Sequence, residues 1–397
     1  MIRGLKIQLK PNNKQSTKLL QSAGVSRFAY NWTLGRQQEN YTLKDTGENG
    51  GKFIDEKDLR KEFTKLKQTD EYKWLNDYSN NITKQAIKDA CDAYQKFFKG
   101  LSKYPKFKSK KRSNPKFYVD TDKIQFNGTH VKLEKLATSK KKNKQKLNWI
   151  RLCEHERIPY GKDIRYINPR ISFDGVNWWV AVGIEYEENL EIPMNEGIGI
   201  DLGIEKLAVT SEVNIYKNIN KTKEVKKLEK RKLRLQRQVS NKYEIGREGI
   251  RYKKTKNIIK LENKLKILHQ RITNIRHNYS HQITTEIIKR KPSFIVVEDL
   301  NISGMMKNKH LSKAIQGQRL YEFYRQIKYK TERNNIKLIV ADRYYPSSKT
   351  CNNCGSYNKE LKLSDRNYIC KECGITLDRD INASMNLKAY GQSIINH

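Results

Sequence analysis

The chain has 397 residues, enough for more than one domain, because single cores stop growing well before that length. Its 81 Lys and Arg against 43 Asp and Glu leave a formal charge of +38, spread along the chain, and self-repulsion of that size is commonly offset by a nucleic-acid partner. A membrane partner would require an amphipathic anchor or an apolar span, and the sequence shows neither.

The opening MIRGLKIQLKPN lacks the apolar stretch of a secretory signal. The chain is therefore expected to stay inside the cell, where disulfides are rare. Ile2, Leu5, Ile7 and Leu9 alternate with polar residues up to Pro11 and predict a strand. Apolar residues three and four apart then predict helices over 13–42 (Leu20, Phe28, Trp32), 57–68 (Leu59, Leu66) and 79–99 (Ile87, Cys91, Tyr94, Phe98). KYPKFKSKKRSNPKFY at 103–118 carries two prolines and cannot form a regular helix.

From Phe117 to about Glu188 the texture is that of strands. PRISFDGVNWWVAVGIEYE places Asp174-Gly175 between two alternating runs, as a hairpin turn requires. A lysine-rich loop, SKKKNKQK at 139–146, interrupts the region. Residues 1–10 and 115–190 thus predict a small β domain, with the helical block 11–114 inserted into it.

Beyond Pro193, GIGIDLG (197–203) and LAVTS (207–211) predict a strand pair. FIVVE (294–298) and KLIVAD (337–342) are continuously apolar, as buried parallel strands are. Between them Ile258, Leu261, Leu265, Leu268, Ile272, Ile275 and Tyr279 form a heptad seam, with Val225, Leu228, Leu235 and Val239 on an antiparallel partner. Strands alternating with helices make 191–397 an α/β domain, and the whole chain a multidomain α+β protein.

Two Cys-x-x-Cys pairs, CNNCG (351–355) and CKECG (370–374), stand 15 residues apart. Each tight turn aims both sulfurs inward, so Cys351, Cys354, Cys370 and Cys373 have the spacing of a four-thiolate zinc ribbon; redox dithiols and unrelated surface cysteines are the alternatives. Cys91 lies on an apolar helix stripe and is most simply core. Cys153 and His155 have no partner pair nearby.

Four acids invite attention. Asp201 interrupts an apolar strand, where an unpaired carboxylate is costly and a cation is the usual remedy, although a strand-end aspartate also caps turns. Glu298 ends the FIVV run, and ligands of α/β sheets sit beyond the carboxyl ends of strands, which equally hold solvated acids. Asp378 and Asp380 begin the last helix, where capping and the helix dipole favour acids in any case. Were they to converge, these acids could hold Mg²⁺.

GIDLG with Asp201, VVED with Glu298 and DRDINAS with Asp380, in this order, resemble the three motifs of a RuvC-type nuclease of RNase H-like fold. With a cysteine ribbon placed just before the third motif, the chain resembles the TnpB family of transposon-encoded RNA-guided endonucleases, related to the compact type V CRISPR effectors. The resemblance runs along essentially the whole chain, including RFAYNW (27–32) and YPKFKSKKR. It implies a RuvC-like domain over 191–397 with a helical hairpin (221–290) and a zinc ribbon (346–377) inserted, a split β-barrel wedge domain, and a helical recognition domain. It further implies that Asp201, Glu298 and Asp380 are catalytic ligands of two Mg²⁺ ions, that one structural Zn²⁺ sits on the four cysteines, and that Arg379 touches substrate. Asp378 receives no role.

The implied partners are a guide RNA from the transposon end and target double-stranded DNA, cut beside a short target-adjacent motif in a prokaryotic, nucleoid-associated setting. Ser384 stands where the family usually has a second alanine, a change expected to be tolerated. The neighbouring readings are a compact type V CRISPR effector and a transposition regulator or RNA-guided repressor that does not cut. GIDLG also opens the phosphate loop of actin-type ATPases, but that loop continues with a small hydroxyl residue where this chain has Ile204. Nucleic-acid contacts are expected from Lys106, Lys108, Lys110, Lys111 and Arg112, with Tyr104 and Phe107 for stacking. The lysine-rich outer faces of 221–240 and 251–290 are further candidates, whereas Tyr30, Trp32, Trp178 and Trp179 are expected in the core.

Overall fold

The computed structural model describes residues 2–43, 51–136, 146–161, 164–185, 193, 195–245, 247–248, 251–252, 254–362 and 364–396. Of the lysine-rich loop expected at 139–146, all but Lys146 lies outside the described residues. The chain divides into two compact units, Met1–Glu187 and Glu188–His397. Among the described residues no helix is long and apolar enough to cross a membrane.

In the first unit, β1 (Ile2–Lys10) stops at Pro11 and α1 (Asn13–Thr42) follows at once. A capping box starts that helix: the Asn12 side chain accepts from the Gln15 N–H at 2.9 Å while the Gln15 side chain accepts from the Asn12 N–H at 2.9 Å. α2 (Glu56–Leu66) and α3 (Asn80–Phe98) come next, the latter burying Ile82, Ala86, Ile87, Ala90, Cys91 and Tyr94. Six short strands complete the unit: β2 (Lys116–Tyr118), β3 (Gln125–Phe126), β4 (His130–Lys132), β5 (Trp149–Leu152), β6 (Tyr166–Phe173) and β7 (Trp178–Glu185).

The sheet order is β2-β6-β7-β1-β5-β4-β3, all antiparallel. β1 sits centrally and pairs with β7 from Ile2↔Glu185 to Leu9↔Trp178, so the first strand is closed by partners far along the chain. The β6–β7 turn is the expected one, with Gly175 at φ +98° and Asp174 Oδ1 accepting from the N–H groups of Val176 and Asn177 at 2.8 and 2.7 Å. Sheet residues Ile7, Ile150, Ile171 and Val180 share one core with Leu19, Leu34, Phe63 and Ile87 of the helices. Tyr30 and Trp178 are buried in that core and Trp32 borders it, while Lys6 lies 4.9 Å from the ring centre of the half-buried Trp179.

The second unit is built on β8 (Ile198–Leu202), β9 (Lys206–Thr210), β10 (Ile215–Lys217), β13 (Phe294–Glu298) and β14 (Lys337–Ala341), in the order β10-β9-β8-β13-β14. β8, β9 and β10 form an antiparallel meander; β13 runs parallel to both β8 and β14. Between β10 and β13 lie α4 (Lys223–Ile245), the paired strands β11 (Arg247–Glu248) and β12 (Arg251–Tyr252), and α5 (Lys256–Lys289). The heptad seam joins the two helices through Leu228, Leu235, Leu268, Ile272 and Ile275. α6 (Ile302–Met305), α7 (Ser312–Gln318) and α8 (Leu320–Arg333) precede β14; β15 (Asn367–Ile369), β16 (Thr376–Asp378) and α9 (Arg379–Asn396) follow it.

Strand alternation sorts this sheet into two faces. Ile198, Ile200 and Leu202 of β8, with Ile295 and Val297 of β13, pack against Ile283 and Ile287 of α5 and Phe323 and Ile327 of α8. Phe294, Val296 and Ile339 turn to the opposite face and meet Leu387 of α9. Gly199 makes that second contact close: a Cβ built there would lie 2.1 Å from the Ser384 carbonyl oxygen and 2.5 Å from the Lys388 nitrogen, both backbone atoms of α9. Gly199→Ala is therefore expected to push the helix off the sheet and to cost about 1–3 kcal/mol. A thermal melt of the variant checks this, with a fall of several degrees expected; an unchanged melting temperature would mean that α9 is not held this tightly.

Candidate active site

Asp201 occupies β8 on the face that Gly199 opens to α9, since residues two apart share a face. Glu298 ends β13 on the face of Phe294 and Val296, which is again the α9 face. The β8–β13 register pairs Val297 with Ile200, so Glu298 and Asp201 fall at the next matching position, side by side. Asp380 is in the first turn of α9. All three acids thus meet where the carboxyl ends of two parallel strands face the start of one helix.

Their electrostatics agree with this geometry. Burial, then the charges of Glu298 and Asp380, push the Asp201 carboxyl well above the usual carboxylate range. Glu298 is also raised by burial, partly offset by a hydrogen bond from the Ser347 hydroxyl. Carboxylates gathered in this way fit a hard cation, which would remove their mutual repulsion.

Asp378 has a different role from Asp380. Its Oδ1 accepts from the N–H groups of Asp380 and Ile381 at 3.0 and 3.3 Å, which makes it the cap of α9. Lys206 of β9 bridges the two, its Nζ lying 2.7 Å from Asp378 Oδ2 and 3.1 Å from Asp380 Oδ2. Burial works against the Asp378 charge, but Lys206 and the capped backbone hold the carboxyl below its ordinary value. Arg379 stays among the acids, with Nη2 3.5 Å from Asp380 Oδ1 and its side chain 16 % exposed.

The four cysteines converge as their spacing predicts. Among the described residues they are the group of three or more His, Cys, Asp or Glu whose donor atoms all lie within 4.8 Å of one another; the three acids are more widely set. Cys351 Sγ is 3.7 Å from Cys373 Sγ, and Cys354 Sγ is 3.5 Å from Cys370 Sγ. A zinc–sulfur bond of about 2.3 Å gives a tetrahedron with edges of about 3.8 Å, so the donor set fits zinc. Gly355 and Gly374, at φ +77° and +72°, close the two turns. The N–H of Cys373 and the Ser356 hydroxyl hold the Cys370 thiol down to about 6, whereas burial pushes the Cys351 thiol up to about 11. Tyr368, fully buried between Cys351 and Cys370, is the core of this small element.

Several residues that sequence reasoning missed join the two clusters. Asn382 and Asn386, one turn apart on α9 and both buried, each donate from Nδ2 to the Thr350 carbonyl at 2.7 Å. Asn382 Oδ1 accepts from the Asn352 N–H at 3.0 Å, and Asn386 donates to the Ser347 carbonyl at 2.7 Å. The ribbon's last strand, β16, runs without a break into α9. Gln318, also buried, donates to the carbonyls of Gly203 and Ile204 just past Asp201. Two buried asparagines at helical spacing were the signal available in the sequence; nothing there marked Ser347 or Lys206.

Ser384 is fully buried, and its hydroxyl donates to the Ile381 carbonyl at 2.8 Å within its own helix, which is how a serine is accommodated there. In the basic segment of the first unit, Lys106, Phe107, Lys110, Lys111 and Arg112 are exposed. Tyr104 is exposed at one edge while its ring packs on Tyr94 and Phe97. Lys108 departs from the expectation for an outward lysine. The Asn31 side chain pairs with its backbone N–H and C=O, both at 2.8 Å, and its ammonium sits 3.1 Å from the Tyr30 ring centre, where burial and Lys116 lower it to about 8.

Three family profiles match the chain: a helix-turn-helix domain of the OrfB IS605 type over residues 1–45, the OrfB IS605 "Probable transposase" over 182–309, and the "Cas12f1-like, TNB domain" over 321–387. Within the first match the described residues form a strand and one unbroken helix rather than two helices around a turn. Relatives that bear the name "Putative RNA-guided DNA endonuclease" match along nearly the whole chain. InsQ of Escherichia coli (strain K12) is 28% identical over 99% of this chain and 93% of its own length. The Streptomyces pristinaespiralis protein is 28% identical over 98% of this chain and 89% of its own. A cryo-EM structure of a Cas12f1–sgRNA–target DNA complex matches with a TM-score of 0.56 at 15% identity, over 94% of this chain and 82% of that one.

In class, then, this is a multidomain α+β protein with the fold of the compact Cas12 effectors. The motif order, the three profiles and the relatives agree on the narrower statement. Along nearly its whole length the chain is similar to RNA-guided DNA endonucleases of the TnpB type.

Proposed function

We propose that the chain is a transposon-encoded, RNA-guided endonuclease that cuts double-stranded DNA beside a short motif. The observation that carries the reading is the meeting of Asp201, Glu298 and Asp380 at one end of a parallel strand pair. The curated relatives' names and the chain's net charge support it.

On this reading the sheet around β8 and β13 is the RNase H-like, RuvC-type core, with the helical hairpin and the cysteine ribbon as its insertions. The sheet of the first unit is the wedge domain, and α1 to α3 form the recognition domain. Asp201 and Glu298 hold Mg²⁺ from the sheet and Asp380 from the helix, while Cys351, Cys354, Cys370 and Cys373 hold one structural Zn²⁺. Divalent ions held by these three carboxylates would supply a water of lowered pKa and charge stabilisation for the entering and leaving oxygens, so no histidine base would be needed. Arg379, lying against Asp380, is placed to meet a phosphate oxygen of the strand being cut. Lys106, Lys110, Lys111 and Arg112, with Tyr104 and Phe107, grip nucleic acid; Lys108 instead fastens their segment to α1.

The test is to purify the protein from its native locus and sequence the RNA that accompanies it. A discrete RNA with a constant scaffold and a 3′ end reading into flanking DNA is expected, and should direct Mg²⁺-dependent cleavage of a matching duplex. Heterogeneous RNA, or none, would remove guidance from the proposal.

A further inference from the structure

We propose that Ser347 is a positioning residue for Glu298, and that the Asn386 clamp on the first cysteine knuckle sets where Ser347 stands. The inference rests on the reading of Glu298 as a metal ligand. It starts from the burial of Ser347, which is 4 % exposed and donates its hydroxyl to Glu298 Oε1. No charged side chain has an ion pair with Glu298 among the described residues, so this hydroxyl is the polar contact that fixes its carboxylate.

Ser347 is itself held from both sides of its backbone. Its carbonyl accepts from Asn386 Nδ2 at 2.7 Å, and its N–H donates to the Tyr345 carbonyl at 2.8 Å. Asn386 also grips the Thr350 carbonyl and, through Oδ1, accepts from Asn352 Nδ2 at 3.2 Å. Residues 347–352 therefore form a rigid bridge. One end touches the acid cluster, the other carries Cys351, and the middle is bolted to the helix that brings Asp380. A ligand carboxylate fixed by a buried hydrogen bond loses less orientational freedom on metal binding, and outer partners of this kind commonly carry 10–100-fold in metal affinity.

The experiment measures Mn²⁺ binding to the full-length, zinc-loaded protein by the loss of the free Mn²⁺ EPR signal, alongside zinc content and the melting temperature. Ser347→Ala is expected to weaken Mn²⁺ binding by roughly tenfold or more at full zinc occupancy. Ser347→Thr, which keeps the hydroxyl, should recover most of it, and the cleavage rate of Ser347→Ala should rise with added Mn²⁺ toward the parent plateau. Asn386→Ala leaves the hydroxyl in place but frees the bridge; it should weaken binding in the same direction, and it carries the test if Ser347→Ala does not fold. Parent-like Mn²⁺ affinity in both variants, with Glu298→Gln weakened, would overturn the proposal and leave the acid site standing. Unchanged binding in Glu298→Gln as well would instead overturn the reading of the site on which it rests.

Discussion

Asp201→Ala, Glu298→Gln and Asp380→Ala are each expected to abolish cleavage of a matched DNA duplex, a loss of roughly a thousandfold or more, equivalent to about 4 kcal/mol of transition-state stabilisation. Binding of the guide RNA and of the duplex should persist, because these three side chains form one small cluster and contribute little to a surface governed by lysine and arginine. The checks are a plasmid-cleavage time course and a gel shift on the same preparations. Any of the three that cuts like the parent is not a ligand. Asp378→Ala supplies the contrast: Asp378 caps α9 and pairs with Lys206, so its replacement by alanine is expected to cost on the order of 1 kcal/mol of stability and to leave substantial cleavage. The two acids of DRD, alike in sequence, are thereby separated by what their oxygens touch.

Replacing Cys351 and Cys354 together with serine is expected to abolish zinc binding and to reduce cleavage nearly as far as loss of an acid. Structural zinc contributes folding energy directly, about 10–16 kcal/mol in isolated finger peptides. Without it the knuckle keeps a small apolar core around Tyr368, the β15–β16 pairing and the asparagine contacts. Loss of the knuckle frees Thr350 and Asn352 from Asn382 and Asn386, which loosens the start of α9 and with it Asp380. Zinc content by mass spectrometry and hydrogen exchange across 347–352 and 379–386 report the two steps separately. Full activity in a zinc-free double variant would show that the ribbon is dispensable to the acid site.

Much of this was legible in the sequence because the physics is local. The β1 alternation, the presence of the three helices, the Asp174-Gly175 turn, the heptad seam and the paired cysteines each depend on residues within a few positions of one another, although the stripe residues Leu20 and Phe98 are exposed and α1 buries Leu19 and Leu34 instead. The motif order added which acids belong together. What stayed hidden depends on distant partners. That Lys206, some 170 residues earlier and on another strand, pairs with both Asp378 and Asp380 is nowhere marked in the sequence. Lys108 reads like its lysine neighbours until Asn31 and Tyr30 draw it inward. Ser347 is an ordinary loop serine until Glu298 arrives beside it.

The seam between α4 and α5 has a consequence for how such a chain varies in size. The base of the hairpin is tied down by Arg276, whose guanidinium donates to Asn220 Oδ1 at 2.7 Å and Glu229 Oε1 at 3.0 Å, and by Ile283 and Ile287 under the sheet. Beyond that base the two helices chiefly contact each other, repeating every seven residues. Matched seven-residue steps in both arms add or remove about 10 Å of reach while preserving the register of every core contact. The hairpin is thus an arm of adjustable length on a fixed shoulder, and its span can follow the dimensions of a nucleic-acid partner without disturbing the carboxylates at the strand ends.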